Sequence, residues 1–176
     1  MELLHELLPK AGILALLVNP SVPELAEPQT HEALSAARAL GIVLHVLNAG
    51  TEQDFDRVFA KLTELRAAGL VIAGDAFFTS HAKQLAALTL QHSVPAIYQW
   101  REFAAAGGLM SYGSNITESH RLVGIYAGRI LKGDKPADLP VQQASKIEMY
   151  INLKTAGALG ISIPLPLSGR ADEIFE

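Results

Sequence analysis

The chain contains no cysteine, which excludes a disulfide framework, a thiolate nucleophile and any cysteine-ligated metal. That absence leaves the redox compartment open. Aromatic residues are scarce, 6% of 176, with a single tryptophan. Positive charge is not in excess: 14 Lys and Arg stand against 18 Asp and Glu, a net charge of −4 without long runs. The basic patch that a nucleic-acid binder needs is therefore missing. No apolar run approaches the ~20 residues of a membrane-spanning helix. The opening residues, MELLHELLPKAG, have neither a basic stretch nor an uninterrupted apolar stretch, so no signal peptide is expected in them. What is present, 49% apolar and 18% charged residues, is the composition of one compact folded domain with a sizeable core.

The order of that domain is a regular alternation. Residues 12–18, GILALLV, form a short continuous apolar run stopped by Asn-Pro-Ser, the pattern of a strand buried on both faces. Residues 23–40 follow with a helical stripe at Leu25, Ala33, Leu34, Ala37 and Leu40 after an irregular start at Pro28, and Gly41 supplies the C-cap. A second strand, IVLHVLNAG, leads through Thr51 and Asp54, an acidic variant of the capping box, to a helix over 52–68 that ends at Gly69. LVIAGDA (70–76) is the third strand, SHAKQLAALTLQHS the next helix, and PAIYQW the fourth strand. A short turn, REFAAAG, precedes a fifth strand, GLMSYGS, and a long helix from Thr117 to Leu131. Strands separated by helices of this length predict right-handed crossovers and a doubly wound parallel α/β sheet of Rossmann or flavodoxin type. The last forty or so residues break the pattern with a polar, proline-punctuated connection, an amphipathic strand, a short helix and a tail.

In such a sheet ligands bind beyond the carboxyl ends of the strands. The βα loops there hold Asn19, Ser21, Asp75, Phe77, Phe78, Thr79, Ser80, Trp100, Glu102, Ser111, Tyr112 and Asn115. These are recognition groups more than catalytic ones. Asp75 suits a ligand ammonium or a turn; Trp100 and Tyr112 suit the two faces of a planar ligand or the core. One of Phe77 and Phe78 walls a pocket while the other packs under the helix. Thr79 and Ser80 open a helix, where free N–H groups suit a carboxylate or ordinary capping. Glu102 faces a ligand, pairs with Arg101 or lies in solvent.

Enzyme motifs are wanting: there is no G-x-S-x-G elbow, no P-loop, and NPSVPE stands where a G-x-G-x-x-G would follow the first strand. The six histidines, at 5, 31, 45, 81, 92 and 120, form no i, i+4 pair, so neither a metal nor another cofactor is implied. Two alternatives stay open beside solute binding, a receiver-like or flavodoxin-like signalling module and a small α/β enzyme using Asp75 or Glu102 as base.

LVNPSVPE, the run LVIAGDAFFTSHAKQLAALTLQHSVPAIYQWREFAAAGGLMSYGSN, and the block AGRILKGDKPADLPVQ with INLKTA resemble the substrate-binding protein family of bacterial ABC transporters, in the branch whose better-known members bind amino acids. The resemblance implies two similar α/β lobes of the type I periplasmic binding protein kind, closing by a hinge on a small solute that is handed to ABC permease subunits outside the cytoplasm. It implies that this chain is the carboxyl-terminal portion: residues 1–114 a ligand-binding lobe, 115–145 a helix and connection that packs on a first lobe, and 146–176 a segment returning to the sheet. Ser111 to Asn115 then corresponds to a hinge crossing. The apolar face of helix 116–131 (Ile116, Leu122, Val123, Tyr126, Ala127, Ile130) needs cover, so a homo-oligomer through that helix is expected.

Overall fold

The computed structural model describes residues 1–141 and 146–176. In chain order the elements are α1 (Glu2–Leu7), β1 (Ile13–Val18), α2 (Pro23–Leu40), β2 (Val43–Asn48), α3 (Gln53–Leu65), β3 (Leu70–Ile72), α4 (Ala76–Ser80), α5 (Ala82–Gln91), β4 (Ala96–Tyr98), α6 (Arg101–Ala105), β5 (Met110–Ser114), α7 (Ile116–Leu131), β6 (Ile147–Asn152), α8 (Leu153–Ala158), α9 (Leu165–Ser168) and β7 (Glu173–Phe175). One seven-stranded sheet runs in the order β2-β1-β3-β4-β5-β6-β7. The five expected strands are parallel, whereas β6 pairs antiparallel with β5 and β7 lies parallel to β6.

Two cores separate the faces. One gathers Phe55, Val58, Phe59 and Leu62 of α3 with Phe78, Leu85, Tyr98 and Phe103; the other gathers Leu4 and Leu7 of α1 with Leu14, Ile97, Met110, Ile151 and Leu167. Central β1 divides its side chains between them, Ala15 and Leu17 on one face and Leu14 on the other, which is why its sequence is apolar without alternation. Edge strand β2 is only half-buried.

The structure departs from the sequence expectations in several places. Helix α2 runs from Pro23 without a break, with Pro28 inside it and Gly41 in the left-handed conformation expected of its cap. Helix α3 stops at Leu65: Arg66 (φ 52°), not Gly69, takes the left-handed cap, and the Ala67 amide bonds back to Leu62. Gly69 has another reason to be glycine. A side chain there meets Leu4, Leu8 and Leu14 carbons at 3.1 to 3.2 Å, so its bareness lets α1 close on the sheet. The capping-box reading of Thr51 and Asp54 holds in part. Asp54 Oδ2 accepts from the Gly50 and Thr51 amides, but the Thr51 hydroxyl donates to that same carboxylate instead of capping α3. The helix expected after β3 is broken in two at His81.

Helix α7 stands apart: none of its residues is buried, and Val123 is 65% exposed and Leu131 87%. Tyr126 Oη donates to the Pro140 carbonyl at 2.6 Å and Arg129 pairs with Asp134, so the helix is braced by its own following connection. The end of the 115–145 segment, residues 142–145, lies outside the described residues. No helix among the described residues is long and apolar enough to cross a membrane.

Candidate functional site

At the carboxyl end of the parallel strands an open cavity of about 1020 Å³ lies on the α2 face of the sheet. Leu16, Val71 and Ile97 form its floor, α2 one wall, and Gly74, Asp75, Gln99, Trp100, Tyr112 and Ile116 its rim. Of the residues singled out from sequence, Asp75, Thr79, Ser80, Trp100 and Tyr112 come together here.

Asp75 is fixed by local chemistry. It occupies the N-cap of α4 in extended conformation, and its Oδ1 accepts from the Phe77 amide at 2.8 Å and from Asn19 Nδ2 at 3.0 Å. Asn19, itself buried, accepts from the Ser21 amide through Oδ1, so the β1 and β3 loops are tied through one side chain. Asn19 therefore acts through Asp75, and neither it nor Ser21 lines the cavity. Thr79 Oγ1 donates back to the Asp75 carbonyl at 2.8 Å, one helical turn earlier, and the cap at the start of α4 is Asp75 itself.

The remaining candidates are placed elsewhere. Phe78 is fully buried in the core on the opposite face, and Phe77 packs there against Phe55 and His81 with ring centroids 5.6 and 4.5 Å away. Both rings follow α4 under the sheet, so neither walls the cavity. Glu102 is exposed on the first turn of α6, and its supposed partner Arg101 instead forms a two-pronged pair with Glu173 at 2.8 and 2.7 Å, over the Tyr150 and Phe175 rings. His81 bridges the neighbouring loops: one ring nitrogen faces the Phe77 carbonyl at 2.8 Å and the other Glu52 at 2.9 Å, and the two acceptors raise its pKa.

Two glutamines that sequence reasoning passed over complete the rim. Gln29, on α2, donates to the Gly74 carbonyl at 3.1 Å and accepts from the Gly74 amide at 2.9 Å, reading that residue as a strand neighbour would. Gln99 fills the space over Gly74 and Gly113: a Cβ on Gly74 falls 1.5 Å from Gln99 Oε1, and one on Gly113 falls 2.2 Å from the Gln99 carbonyl oxygen. The pair of glycines spaced around QWREF is the only sequence trace of this approach.

The carboxylates whose pKa the fold lowers, Asp54, Glu118, Glu148 and Asp172, are all held down by hydrogen bonds and none lines the cavity. The rim is thus a set of fixed hydrogen-bonding and aromatic groups around an apolar floor, an arrangement that holds a small molecule.

Comparison with known proteins agrees. Residues 1–175 match the family model described as ABC transporter substrate binding protein. Among solved structures, a conserved domain protein from Vibrio cholerae O1 biovar El Tor superposes with a TM-score of 0.86 at 25% identity, over 98% of this chain and 58% of that one. An ABC domain in complex with L-Trp from Streptococcus pneumoniae gives a TM-score of 0.86 at 22% identity, over 99% of this chain and 60% of its own. The ligand-free, open structure of a substrate binding protein with adhesive properties from Clostridium difficile gives 0.71 at 20%, covering 99% and 58%. No curated protein matches the chain. The chain belongs to the ABC transporter substrate-binding protein family, a family of solute binders and not of enzymes, and its fold is that of a periplasmic binding protein domain. It spans somewhat under two thirds of the length of these structural neighbours.

Proposed function

We propose that this chain supplies one wall of the solute cleft of a bacterial ABC importer, capturing a small amino-acid-like molecule outside the cytoplasm for delivery to permease subunits and performing no chemistry on it. The observation that carries this reading is the rim at the strand ends, where Asp75, Trp100 and Tyr112 converge over an apolar floor. Asp75 Oδ1 is occupied by Asn19 and Phe77, while Oδ2 accepts no hydrogen bond from the described residues, and in this reading it is the oxygen that takes the ligand's ammonium. The neighbour bound to L-Trp supports an amino-acid-sized, aromatic-tolerant solute.

A thermal-shift screen against amino acids, amines, organic acids and sugars tests the reading, since a ligand of the folded state raises Tm with the logarithm of its concentration over Kd. One chemical class raising Tm, with dissociation constants on the order of millimolar for a single wall, is the expected result. Turnover of any of these compounds, or a flat response to all of them, contradicts it.

In the same reading α7 and its connection pack on a second lobe, and the wall contributed by residues 1–114 is completed by that lobe. In this chain by itself, the face of Leu122, Val123, Tyr126, Ala127 and Ile130, none of it buried, then pairs with a second copy. Light scattering of the purified chain is expected to give a dimer that Val123→Glu with Ile130→Glu converts to monomer; a monodisperse wild-type monomer removes the pairing.

A further inference from the structure

Helix α4 brings its cap Asp75 and its own Ala76, Thr79 and Ser80 to the cavity, and it is tied down at both ends. At its start Asp75 is bonded to Asn19 of the β1 loop; at its end His81 is bonded to Glu52 of the β2 loop. The second tie depends on charge. His81 Nδ1 lies 2.8 Å from the Phe77 carbonyl, and Nε2 lies 2.9 Å from Glu52 Oε1. A carbonyl and a carboxylate only accept, so both ring nitrogens must donate, and only the imidazolium carries two N–H groups. The Ser80 hydroxyl, 3.0 Å from Nδ1, donates to the same Phe77 carbonyl at 2.7 Å. A neutral ring keeps one of the two bonds and turns a lone pair toward the other acceptor. The surroundings favour the charged ring. The Phe77 carbonyl and Glu52 raise its pKa above the ordinary 6.5, and among the described residues Glu52 is the charged group that acts on it. Asp54, on the same turn of α3, is committed to the Gly50 and Thr51 amides and to Arg57. Helix α4 contains no charged residue, and α5 only Lys83, which is exposed. The Phe77 ring, 4.5 Å away, and the Phe55 ring, edge-on at 5.8 Å, cover the imidazole, and an aromatic face attracts a cation.

We propose that His81 is a positioning residue for the solute wall: as an imidazolium it clamps α4 to Glu52 and so fixes Asp75 at the rim, and the clamp opens as the ring loses its proton. Solute affinity then falls as pH rises through the His81 midpoint, a consequence that rests on the solute-binding reading above. Stability carries the same sign. A histidine whose folded pKa is raised contributes stability that is whole below its unfolded value of 6.5 and is lost as pH rises through the folded one.

A nuclear magnetic resonance titration of the full chain from about pH 5 to about pH 9 tests the clamp without a ligand. The His81 ring resonance, identified by its loss in His81→Gln, is expected to titrate above 6.5. Glu52→Gln, at an exposed position, is expected to lower that midpoint, because an amide serves a neutral ring as well as a charged one. The Asn19 side-chain amide and the Gly74 amide lie beyond the other end of α4, and both are expected to shift with the His81 midpoint in wild type and to lose that dependence in Glu52→Gln. In urea unfolding, the fall in wild-type stability above pH 6.5 is expected to be missing from His81→Gln. A His81 midpoint at or below 6.5, or one that Glu52→Gln leaves in place, overturns the clamp. A titrating ring that the Asn19 and Gly74 amides ignore overturns the positioning role and leaves a local ion pair. Silence across the thermal-shift screen is a separate result: it removes the solute reading, and the effect on affinity with it, whatever the ring does.

Discussion

Glu148→Ala is expected to lower unfolding stability by about 3 kcal/mol, because it strips the shared acceptor from a buried polar junction. Glu148 is 8% exposed, and its carboxylate accepts from Tyr150 Oη, from Asn115 Nδ2 at 2.9 Å and from Lys146 Nζ at 3.1 Å. Removing it leaves a largely buried phenol and an amide without their acceptor, which costs more than the bonds alone contributed. The effect reaches α7. Asn115 caps that helix by accepting from the Glu118 amide at 3.0 Å while its other end is held by Glu148, so the carboxylate sets how α7 leaves β5. Equilibrium urea unfolding reads the loss, and faster amide exchange in the first turn of α7 reads the loosened junction. Glu148→Gln is expected to recover part of the stability, since the amide oxygen still accepts from Tyr150.

The same cluster governs the acid limb of stability. The Tyr150 hydroxyl and Lys146 hold the Glu148 pKa below its ordinary 4.5, and the Met149 amide and Lys146 hold Asp172 below 3.8. Groups with depressed folded pKa values stabilise the fold above their unfolded values and lose that contribution as pH falls through the folded ones. Stability is therefore expected to decline below about pH 4.5, and Glu148→Ala to flatten that decline along with its overall loss. An unchanged acid limb in the variant assigns the decline to other carboxylates.

Gly113→Ala is expected to cost about 2–3 kcal/mol and to move the site. Its added methyl lands 2.2 Å from the Gln99 carbonyl oxygen and 3.1 Å from the Gln99 carbonyl carbon, backbone atoms that cannot rotate aside. Gly113 is itself held in the β5–β6 ladder opposite Glu148, so relief comes only by parting the Gln99 and Gly113 segments where Trp100 and Tyr112 form the rim. Because Trp100 is the sole tryptophan, its fluorescence reports that movement directly. Gly124→Ala in α7 is the matched control: its new methyl meets nothing within 4 Å, and replacing a helical glycine is expected to add about 0.5–1 kcal/mol. A Gly113→Ala protein as stable as wild type, with unshifted emission, contradicts the packing at this junction.

The segments legible in sequence are those whose signal is local. The GILALLV run is apolar without alternation because β1 is covered on both faces, and α3 carries Phe55, Val58, Phe59 and Leu62 at helical spacing because one face of it is core. Strand ends then located the rim, and with it Asp75, Trp100 and Tyr112. What sequence left out depends on distant partners. Three-residue β7 exists only because β6 offers it an edge, and α1 only because Gly69 lets its leucines reach β1. Gln29 reads as a polar position in the middle of α2, yet its partner is 45 residues away at Gly74. Phe77 and Phe78 sit in a βα loop by sequence and in the opposite core by structure, since α4 starts at Ala76 and turns them under the sheet.

The central claim is that the rim at the strand ends is where the solute sits, and amide chemical-shift mapping by nuclear magnetic resonance tests it most directly. Titration with L-tryptophan is expected to move the Gly74, Asp75, Thr79, Gln99 and Tyr112 amides and the Trp100 indole N–H together, with one dissociation constant. Perturbations confined to the smaller depression beside β2 and α3, at Val46, Lys61 and Glu64, or scattered without a common binding curve, contradict the claim.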